Sequence, residues 1–134
     1  MPGYSGTPLS KKLGLKDGFR VCFVTAPSEV LSQLKDAVAR CEAAANGKTS
    51  LDFAMVFTKS KTDLAKEFRR ISKLLAPAGM LWVSWPKKSS GVATDLDENM
   101  VRDIGLAAGL VDVKVCAVTD VWSGLKFVRR LKDR

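Results

Sequence analysis

Residues 79–95, GMLWVSWPKKSSGVATD, restrict the possible folds more than any other part of the chain. Residues 80–85 form a short, largely apolar run that ends at Pro86. A strand that is apolar on both faces is typical of the middle of a sheet covered by helices. The polar loop after Pro86 leads into a predicted helix, which Thr94 or Asp95 can cap. Open α/β sheets bind their ligands at this kind of strand–loop–helix junction.

Strands and helices alternate along the rest of the chain. Two further runs, 19–25 and 51–58, have the composition of buried strands, and each precedes a helix with apolar residues at helical spacing. The third predicted helix is 96–108. Residues 111–119 alternate apolar and polar side chains, which predicts a strand with one covered face and a more exposed position, and 124–131 complete an antiparallel hairpin with it.

This order, β-α-β-α-β-α-β-β, predicts a three-layer Rossmann-like α/β sandwich. Strands that alternate with helices imply a mostly parallel sheet with right-handed crossovers, here five-stranded and ending in the antiparallel hairpin. At 134 residues the chain is expected to form a single domain, with an N-terminal arm and short helix in 1–18 and the α/β core in 19–131.

The composition argues against several classes of function. The chain has no histidine, the commonest general base and metal ligand, so we expect neither catalytic nor metal-binding residues. The three cysteines, Cys22, Cys41 and Cys116, form no C-x-x-C pair and are interpreted as small apolar residues in a reducing compartment. No apolar run is long enough to span a bilayer, and the start of the sequence lacks an apolar signal core. The expected location is therefore the cytoplasm.

The net charge of +8 arises from 22 Lys and Arg residues against 14 Asp and Glu residues. Near the C-terminus, Arg129, Arg130 and Lys132 form a candidate basic surface that would attract nucleic acid. Solubility and solvation of helix faces are the simpler explanation, because the sequence contains no recognisable nucleic-acid-binding module. Nucleic acid is therefore an alternative partner, beside a small anionic ligand or another protein.

Two resemblances add to this interpretation. LLAPAGMLWVSW, the loop and helix after it, GLVDVKV and a final reversed strand resemble the C-terminal half of a class I methyltransferase. That resemblance implies that the last strand inserts between 80–85 and 111–119 and leaves the latter at the edge. The motifs YSGTPLSKKLG, WPKKSSG and WSGLK are similar to those of a small bacterial family of uncharacterised proteins, which implies the fold and no established activity.

The groups that hold the methyl donor in class I methyltransferases have no counterpart in the sequence pattern. Such a site needs a glycine-rich turn after the first strand and an acidic residue at the end of the second, which binds the ribose hydroxyls. Here the first strand leads into Thr25-Ala26-Pro27-Ser28, which contains no glycine. Proline also lacks an amide donor. The ribose-binding strand is missing from the predicted order. No cofactor is therefore expected, S-adenosylmethionine included.

The loop after Pro86 is the candidate ligand site. Lysine ammonium groups, serine hydroxyls and a glycine beside a helix N-terminus can hold a phosphate, sulfate or carboxylate. The alternative is a solvated loop whose serines bond to nearby backbone groups. The candidate anion-binding residues are Lys87, Lys88, Ser89, Ser90, Gly91 and Thr94.

Aromatic residues at loop junctions are candidates for the wall of a pocket. Trp85 and Trp122 each stand next to a predicted loop, and Tyr4 lies in the polar N-terminal arm. Rings of this kind stack on planar ligands. Packing in the core is the simpler interpretation for the tryptophans, since tryptophan is highly buried on average.

The sequence thus favours a non-enzymatic binding or regulatory module on a degenerate methyltransferase-like scaffold, with a small anionic ligand at the 87–95 loop. Two alternatives stay open: an enzyme that acts on an anionic small molecule, and an accessory nucleic-acid-binding protein.

Overall fold

The computed structural model describes residues 7–44 and 50–134. Within them, four helices and six strands follow one another in the order α1-β1-α2-β2-β3-α3-β4-α4-β5-β6. The helices are Leu9–Leu13, Ser28–Val38, Lys61–Ser72 and Glu98–Ala107, and the strands are Arg20–Val24, Glu42–Ala43, Leu51–Phe57, Leu75–Pro86, Leu110–Ala117 and Trp122–Arg129. Short 3₁₀ turns occupy Lys88–Ser90 and Leu131–Asp133. No helix in these ranges is long and apolar enough to cross a membrane.

The strands form one sheet in the order β2-β1-β3-β4-β6-β5. β1 pairs in parallel with β2 and β3, and β3 pairs in parallel with β4. β6 runs antiparallel between β4 and β5, which leaves β5 at the edge. The predicted Rossmann-like fold, its mostly parallel sheet and the insertion of the last strand are therefore confirmed.

The predicted number of five strands is wrong by one, because β2 was not recognised. β2 contains only Glu42 and Ala43, both exposed, so it has no apolar pattern in the sequence. Its pairing with β1 depends on the backbone: the Glu42 amide donates to the Phe19 carbonyl at 2.8 Å, and the Ala44 amide donates to the Val21 carbonyl at 3.0 Å. The edge strand beside β1 is thus only two residues long.

Helices cover the sheet on both faces and create two apolar cores. On the face covered by α1 and α2, the core includes Leu13, Leu34, Phe53, Met55 and Trp82. On the face covered by α3 and α4, it includes Leu64, Phe68, Val83, Trp85 and Phe127. Trp82 and Trp85 therefore anchor opposite cores, as expected for residues of opposite parity on one strand.

Strand β4 begins five residues before the predicted start, because a bulge divides it. Leu51 of β3 pairs with Leu75, whereas Phe53 pairs with Met80, so β4 advances five residues while β3 advances two. Gly79 permits this close approach, since a Cβ at that position would collide with the Leu51 carbonyl oxygen. Gly79 therefore acts inside the strand and not as a helix stop, since α3 already ends at Ser72.

The predicted cap of α4 is also wrong. Asp97, rather than Thr94 or Asp95, caps the helix by accepting a backbone amide hydrogen bond at 2.9 Å. Thr94 and Asp95 hold the start of α3 instead. Thr94 Oγ1 donates to the Lys59 carbonyl at 2.6 Å, and Asp95 Oδ1 accepts from the Lys61 amide at 2.8 Å. The loops that follow β3 and β4 are therefore bonded to each other.

Candidate functional site

The direction of the chain connections reverses between β1 and β3. From β1 the chain passes through α2 to β2 at one edge of the sheet, whereas from β3 it passes through α3 to β4 on the other side. α2 and α3 pack on opposite faces of the sheet. The two connections diverge and leave a crevice outside the carboxyl ends of β1 and β3. Open α/β sheets bind their ligands at such switch points.

A cleft of about 520 Å³ occupies this crevice. Its volume falls within the roughly 300–1,000 Å³ that is typical of small-molecule sites. The ends of β1 and β3, the first turns of α3 and the start of β6 line it, and they contribute Thr25, Phe57, Thr58, Lys59, Lys66 and Trp122. We call it the switch-point cleft.

Two aromatic rings form the apolar wall of the switch-point cleft. Phe57 and Trp122 meet edge to face, with ring centroids 5.2 Å apart and an interplanar angle of 82°. Phe57 is buried and Trp122 is half-buried, so part of the indole stays accessible. An accessible indole in a cleft can stack on a planar ligand. Trp122 is the predicted wall residue that the structure places there.

The strand next to this wall carries a buried hydroxyl group. Ser84 pairs with Phe57 across β3 and β4, and its side chain is fully buried. Its Oγ has no hydrogen-bond partner among the residues that the structure describes. A buried unsatisfied hydroxyl costs about 1–3 kcal/mol. This strand end therefore carries a polar group that the stability of the fold does not explain.

The rim of the cleft carries charges of both signs. Lys59 and Lys66 lie on it together with Asp63 and Glu67. Glu67 is already paired, since its Oε1 accepts from two nitrogens of Arg70 at 2.7 and 2.9 Å. Neither lysine has an ion-pair partner in the described part of the chain. The unpaired charge on the rim is thus two ammonium groups and the Asp63 carboxylate.

Thr25, directly after β1, has a strained backbone conformation at the mouth of the cleft. Its φ is 58°, in the left-handed region, and no other non-glycine residue among those described has a positive φ. This region costs an L residue roughly 1–2 kcal/mol, and β-branched side chains such as threonine rarely adopt it. Strain of this kind is concentrated at binding and active sites.

We expect Thr25→Gly to raise the free energy of unfolding by up to about 1 kcal/mol, because glycine adopts a positive φ without the Cβ penalty. Chemical denaturation measures the change. Thr25→Ala is the matched control: it removes the hydroxyl and the branch but keeps the Cβ, so we expect a change within about 0.5 kcal/mol. A destabilised glycine variant would show that the native conformation of Thr25 is not strained.

The predicted anion loop lies beside the cleft, and one of its serines bonds within the loop. Ser90 Oγ donates to the Lys87 carbonyl at 2.6 Å and accepts from the Val92 amide at 3.2 Å. The side chains of Lys88 and Ser89 are exposed, and Gly91 has a positive φ of 77° that closes the turn. The Lys87 amide donates to a carbonyl of the turn before Trp122 at 2.8 Å. Thr94 fastens the far end of the loop to the rim of the cleft.

The other predicted wall residues do not line the switch-point cleft. Trp85 is 5% exposed and belongs to the core under α3 and α4. Tyr4 lies outside the described residues.

Arg129 in the predicted basic surface has a structural partner. Its guanidinium donates to the Ser72 carbonyl at 2.7 Å and to the Leu75 carbonyl at 2.8 Å, and so closes the C-terminal end of α3. Arg130 is half-buried and Lys132 is exposed, just after β6.

The thiols offer no nucleophile near the cleft. Burial raises the pKa of Cys22, Cys41 and Cys116, so each thiol is protonated at neutral pH. All three are free and partly buried. In the described ranges no group of three or more acidic or cysteine residues is placed to hold a metal ion.

The described residues do not provide the S-adenosylmethionine-binding groups of the methyltransferase pattern. Only Thr25, Ala26 and Pro27 separate β1 from α2, and Pro27, at the start of the helix, donates no hydrogen bond. The acidic residue of β2 is Glu42, which pairs with Arg20 at the start of β1. At roughly 3.3 Å per residue, it lies about 13 Å from the carboxyl end of β1. Glu42 therefore lies near the amino end of β1, whereas a ribose-binding carboxylate has to lie near its carboxyl end.

No family model matches the sequence, and no curated protein matches it. Solved structures nevertheless share its fold. A proposed type 11 methyltransferase of Sulfolobus solfataricus has a TM-score of 0.61 at 16% identity, over 91% of this chain and 89% of that one. Precorrin-6y C5,15-methyltransferase of Geobacter metallireducens has a TM-score of 0.59 at 12% identity, over 91% and 86%.

Fibrillarin of Aeropyrum pernix, solved with natively bound S-adenosyl-L-methionine, has a TM-score of 0.54 at 12% identity, over 94% of this chain and 70% of that one. Identities this low establish the fold alone. The chain therefore has the Rossmann-like fold of methyltransferases, and its ligand has to be argued from its own residues.

Proposed function

We propose that this protein is a binding module that holds a small anionic ligand with a planar part in the switch-point cleft and catalyses no methyl transfer. The main support is the cleft itself, which lies at the topological switch point and is bordered by the strained Thr25. Backbone strain lowers the stability of the fold. Its presence at Thr25 is therefore more readily explained by ligand binding at the same place than by a contribution to folding.

The lining of the cleft suggests the chemistry of the ligand. The Trp122 indole offers an apolar surface for a planar group, and the Thr25 hydroxyl can accept or donate hydrogen bonds. The Thr58 hydroxyl already donates to the Ser60 carbonyl at 3.4 Å, so it can only accept from a ligand. Lys59 and Lys66 favour negative charge on the rim, and Lys87 and Lys88 carry further positive charge beside it. A nucleotide-like molecule combines a planar ring with an anionic group in this way.

The side chains available at the site support a binding role without methyl transfer. The chain has no histidine, the described thiols are protonated, and the groups that would hold the methyl donor are not in position. An enzyme that uses a lysine or a carboxylate on an anionic substrate remains the alternative, and it would use the same cleft.

A thermal-shift screen of the full chain tests the proposal. The panel contains nucleotides, inorganic anions, S-adenosylmethionine, S-adenosylhomocysteine and a short duplex DNA. A ligand at about 100 times its dissociation constant adds about 2.7 kcal/mol to the native state. At this chain length we expect a rise of roughly 8–10 °C in Tm. We expect a nucleotide to give this shift and Trp122→Leu to abolish it.

Three double variants locate the site. We expect Lys59→Ala/Lys66→Ala in the cleft to remove the shift, Lys87→Ala/Lys88→Ala in the loop to reduce it, and Lys11→Ala/Lys35→Ala on α1 and α2 to leave it unchanged. A shift lost only in the loop variant would move the site to residues 87–91. Transfer of a methyl group from S-adenosylmethionine, or turnover of an anionic ligand, would show that the protein is an enzyme. A response to duplex DNA alone would favour the nucleic-acid alternative.

A further inference from the structure

A second depression lies on the other side of α3, between α3 and α4. It is an open groove of about 650 Å³, lined by residues of both helices, by the residue that follows each of them and by Arg129 of β6. We call it the helix groove. The switch-point cleft uses Asp63, Lys66 and Glu67 of α3, whereas the helix groove uses positions 65, 68, 69 and 72, so the two surfaces occupy opposite sides of that helix.

The floor of the helix groove is apolar. Small side chains at Ala65 and Ala107 leave a gap between the two helices, and Ile104 lines the same gap. Phe68 lies beneath it, fully packed against Phe127 in an edge-to-face contact with ring centroids 5.0 Å apart. The floor therefore offers aliphatic surface on a rigid base.

The rim of the helix groove is positively charged. Arg69 and Lys73 are both exposed, and neither side chain has a hydrogen-bond or ion-pair partner in the described part of the chain. Arg129 adds a third cation, fixed in place by its bonds to two backbone carbonyls. None of the described lining residues is acidic. Unpaired cations around an apolar floor are complementary to a surface that is apolar in the middle and acidic at its margins.

Two other anionic occupants fit less well. Nucleic acid would find cations but no ring on which to stack its bases, since Phe68 is 2% exposed. An acyl chain would keep much of its surface in water, because the groove is open along one side, whereas small-ligand sites bury roughly 70–90% of their ligand.

An amphipathic helix has to bury only its one apolar stripe, so a groove that is open along one side can accommodate it. Helices also pack into the groove between two other helices. We propose that the helix groove docks an acidic amphipathic helix of a partner protein. Apolar side chains at i, i+3, i+4 and i+7 of that helix enter the gap over Ala65, Ile104 and Ala107. Its flanking carboxylates pair with Arg69, Lys73 and Arg129. The helix groove is separate from the switch-point cleft, so binding of the partner helix can be measured independently of binding of the small ligand.

The test measures fluorescence anisotropy of a labelled synthetic peptide on the full-length protein. The peptide has roughly four helical turns, with leucine on one face and glutamate on the others. A second peptide has the same composition in scrambled order. We expect the first to bind, the scrambled peptide to bind at least about tenfold more weakly, and binding to weaken at high salt.

Matched charge reversals then locate the surface. Arg69→Glu/Lys73→Glu is expected to weaken the peptide by about tenfold or more, and Ala107→Glu, which places a carboxylate in the gap, by a similar factor. Lys11→Glu/Lys35→Glu makes the same change in net charge on the opposite face of the sheet, and Lys35, like Lys73, lies at the end of its helix. We expect this control to change the affinity less than about twofold.

Several results would overturn the proposal. It fails if the amphipathic peptide does not bind at low salt, if the scrambled peptide binds equally well, or if the control reversal weakens binding as much as the groove reversal. Competition by duplex DNA that is lost in the same groove variants would show a general polyanion surface instead. An unchanged thermal midpoint in each variant confirms that the fold is intact.

Discussion

Gly105→Ala is expected to lower the free energy of unfolding by about 2 kcal/mol, although alanine is the better helix former. Glycine costs a helix interior about 1 kcal/mol relative to alanine, so propensity alone predicts stabilisation. A Cβ at position 105, however, would collide with the Phe127 ring, 2.6 Å from its Cδ2 and Cζ atoms. Phe127 is fully buried and held edge to face against Phe68, so the ring cannot move away without disturbing a second aromatic residue.

Overpacking of this kind costs about 1–3 kcal/mol or more. In the case of Gly105→Ala it exceeds the gain in propensity, and we expect Tm to fall by roughly 7 °C. Asp103→Ala is the control on the same helix: Asp103 is exposed, so the change tests propensity without the collision and should be neutral or slightly stabilising.

A smaller side chain at position 127 separates the steric collision from the effect of helix propensity. Phe127→Leu makes room beside position 105, so Gly105→Ala should cost less in that background than in the wild type, with a coupling of about 1 kcal/mol or more in a double-mutant cycle. Additive costs would show that α4 adjusts its position and that Gly105 is not needed for its approach to the sheet.

Strong periodic patterns allowed most of the fold to be predicted. Strands β1, β3 and β4 have mostly apolar residues on both faces, and α2, α3 and α4 carry clear apolar stripes, so their existence and order followed from the sequence. The alternation in 111–119 indicated the edge position of β5, which the sheet order confirms. The covered apolar face that it also predicted is wrong, because Val113 and Val115 are exposed on this edge strand. Where the pattern is weak, the prediction failed: Glu42–Ala43 is held by backbone hydrogen bonds alone, and the bulge at Gly79 depends on a contact with Leu51, distant in sequence.

The candidate site was predicted only in part, for a physical reason. Its location depends on which strands are neighbours, and the reversal between β1 and β3 becomes visible only once β2 is placed beside β1. Trp122 was identified because a large ring at a loop junction is conspicuous. Thr25 and Thr58 give no such signal, since threonine is common at strand ends. The residue type also does not predict the positive φ of Thr25. The expected role of the 87–91 loop stays a prediction.

Trp82→Phe is expected to lower the free energy of unfolding by about 3 kcal/mol, because Trp82 joins the central strand to the N-terminal helix. Its side chain is fully buried, and its indole Nε1 donates to the Leu13 carbonyl at 2.8 Å. That carbonyl belongs to the last turn of α1, where helix carbonyls lack intrahelical donors. Phenylalanine would leave it without this buried donor, at about 1–3 kcal/mol, and would also leave part of the indole volume empty.

Trp85→Phe is the matched control for Trp82→Phe, since Trp85 is a buried tryptophan on the same strand and the described chain shows no hydrogen bond from its indole. The control loses ring area without a bond, so we expect about 1–2 kcal/mol less destabilisation than for Trp82→Phe. Hydrogen exchange gives a second reading: Trp82→Phe should speed exchange selectively in Leu9–Leu13, because the helix loses its tie to the sheet. Equal costs for the two variants, with exchange in α1 unchanged, would mean that apolar packing alone holds the N-terminal helix.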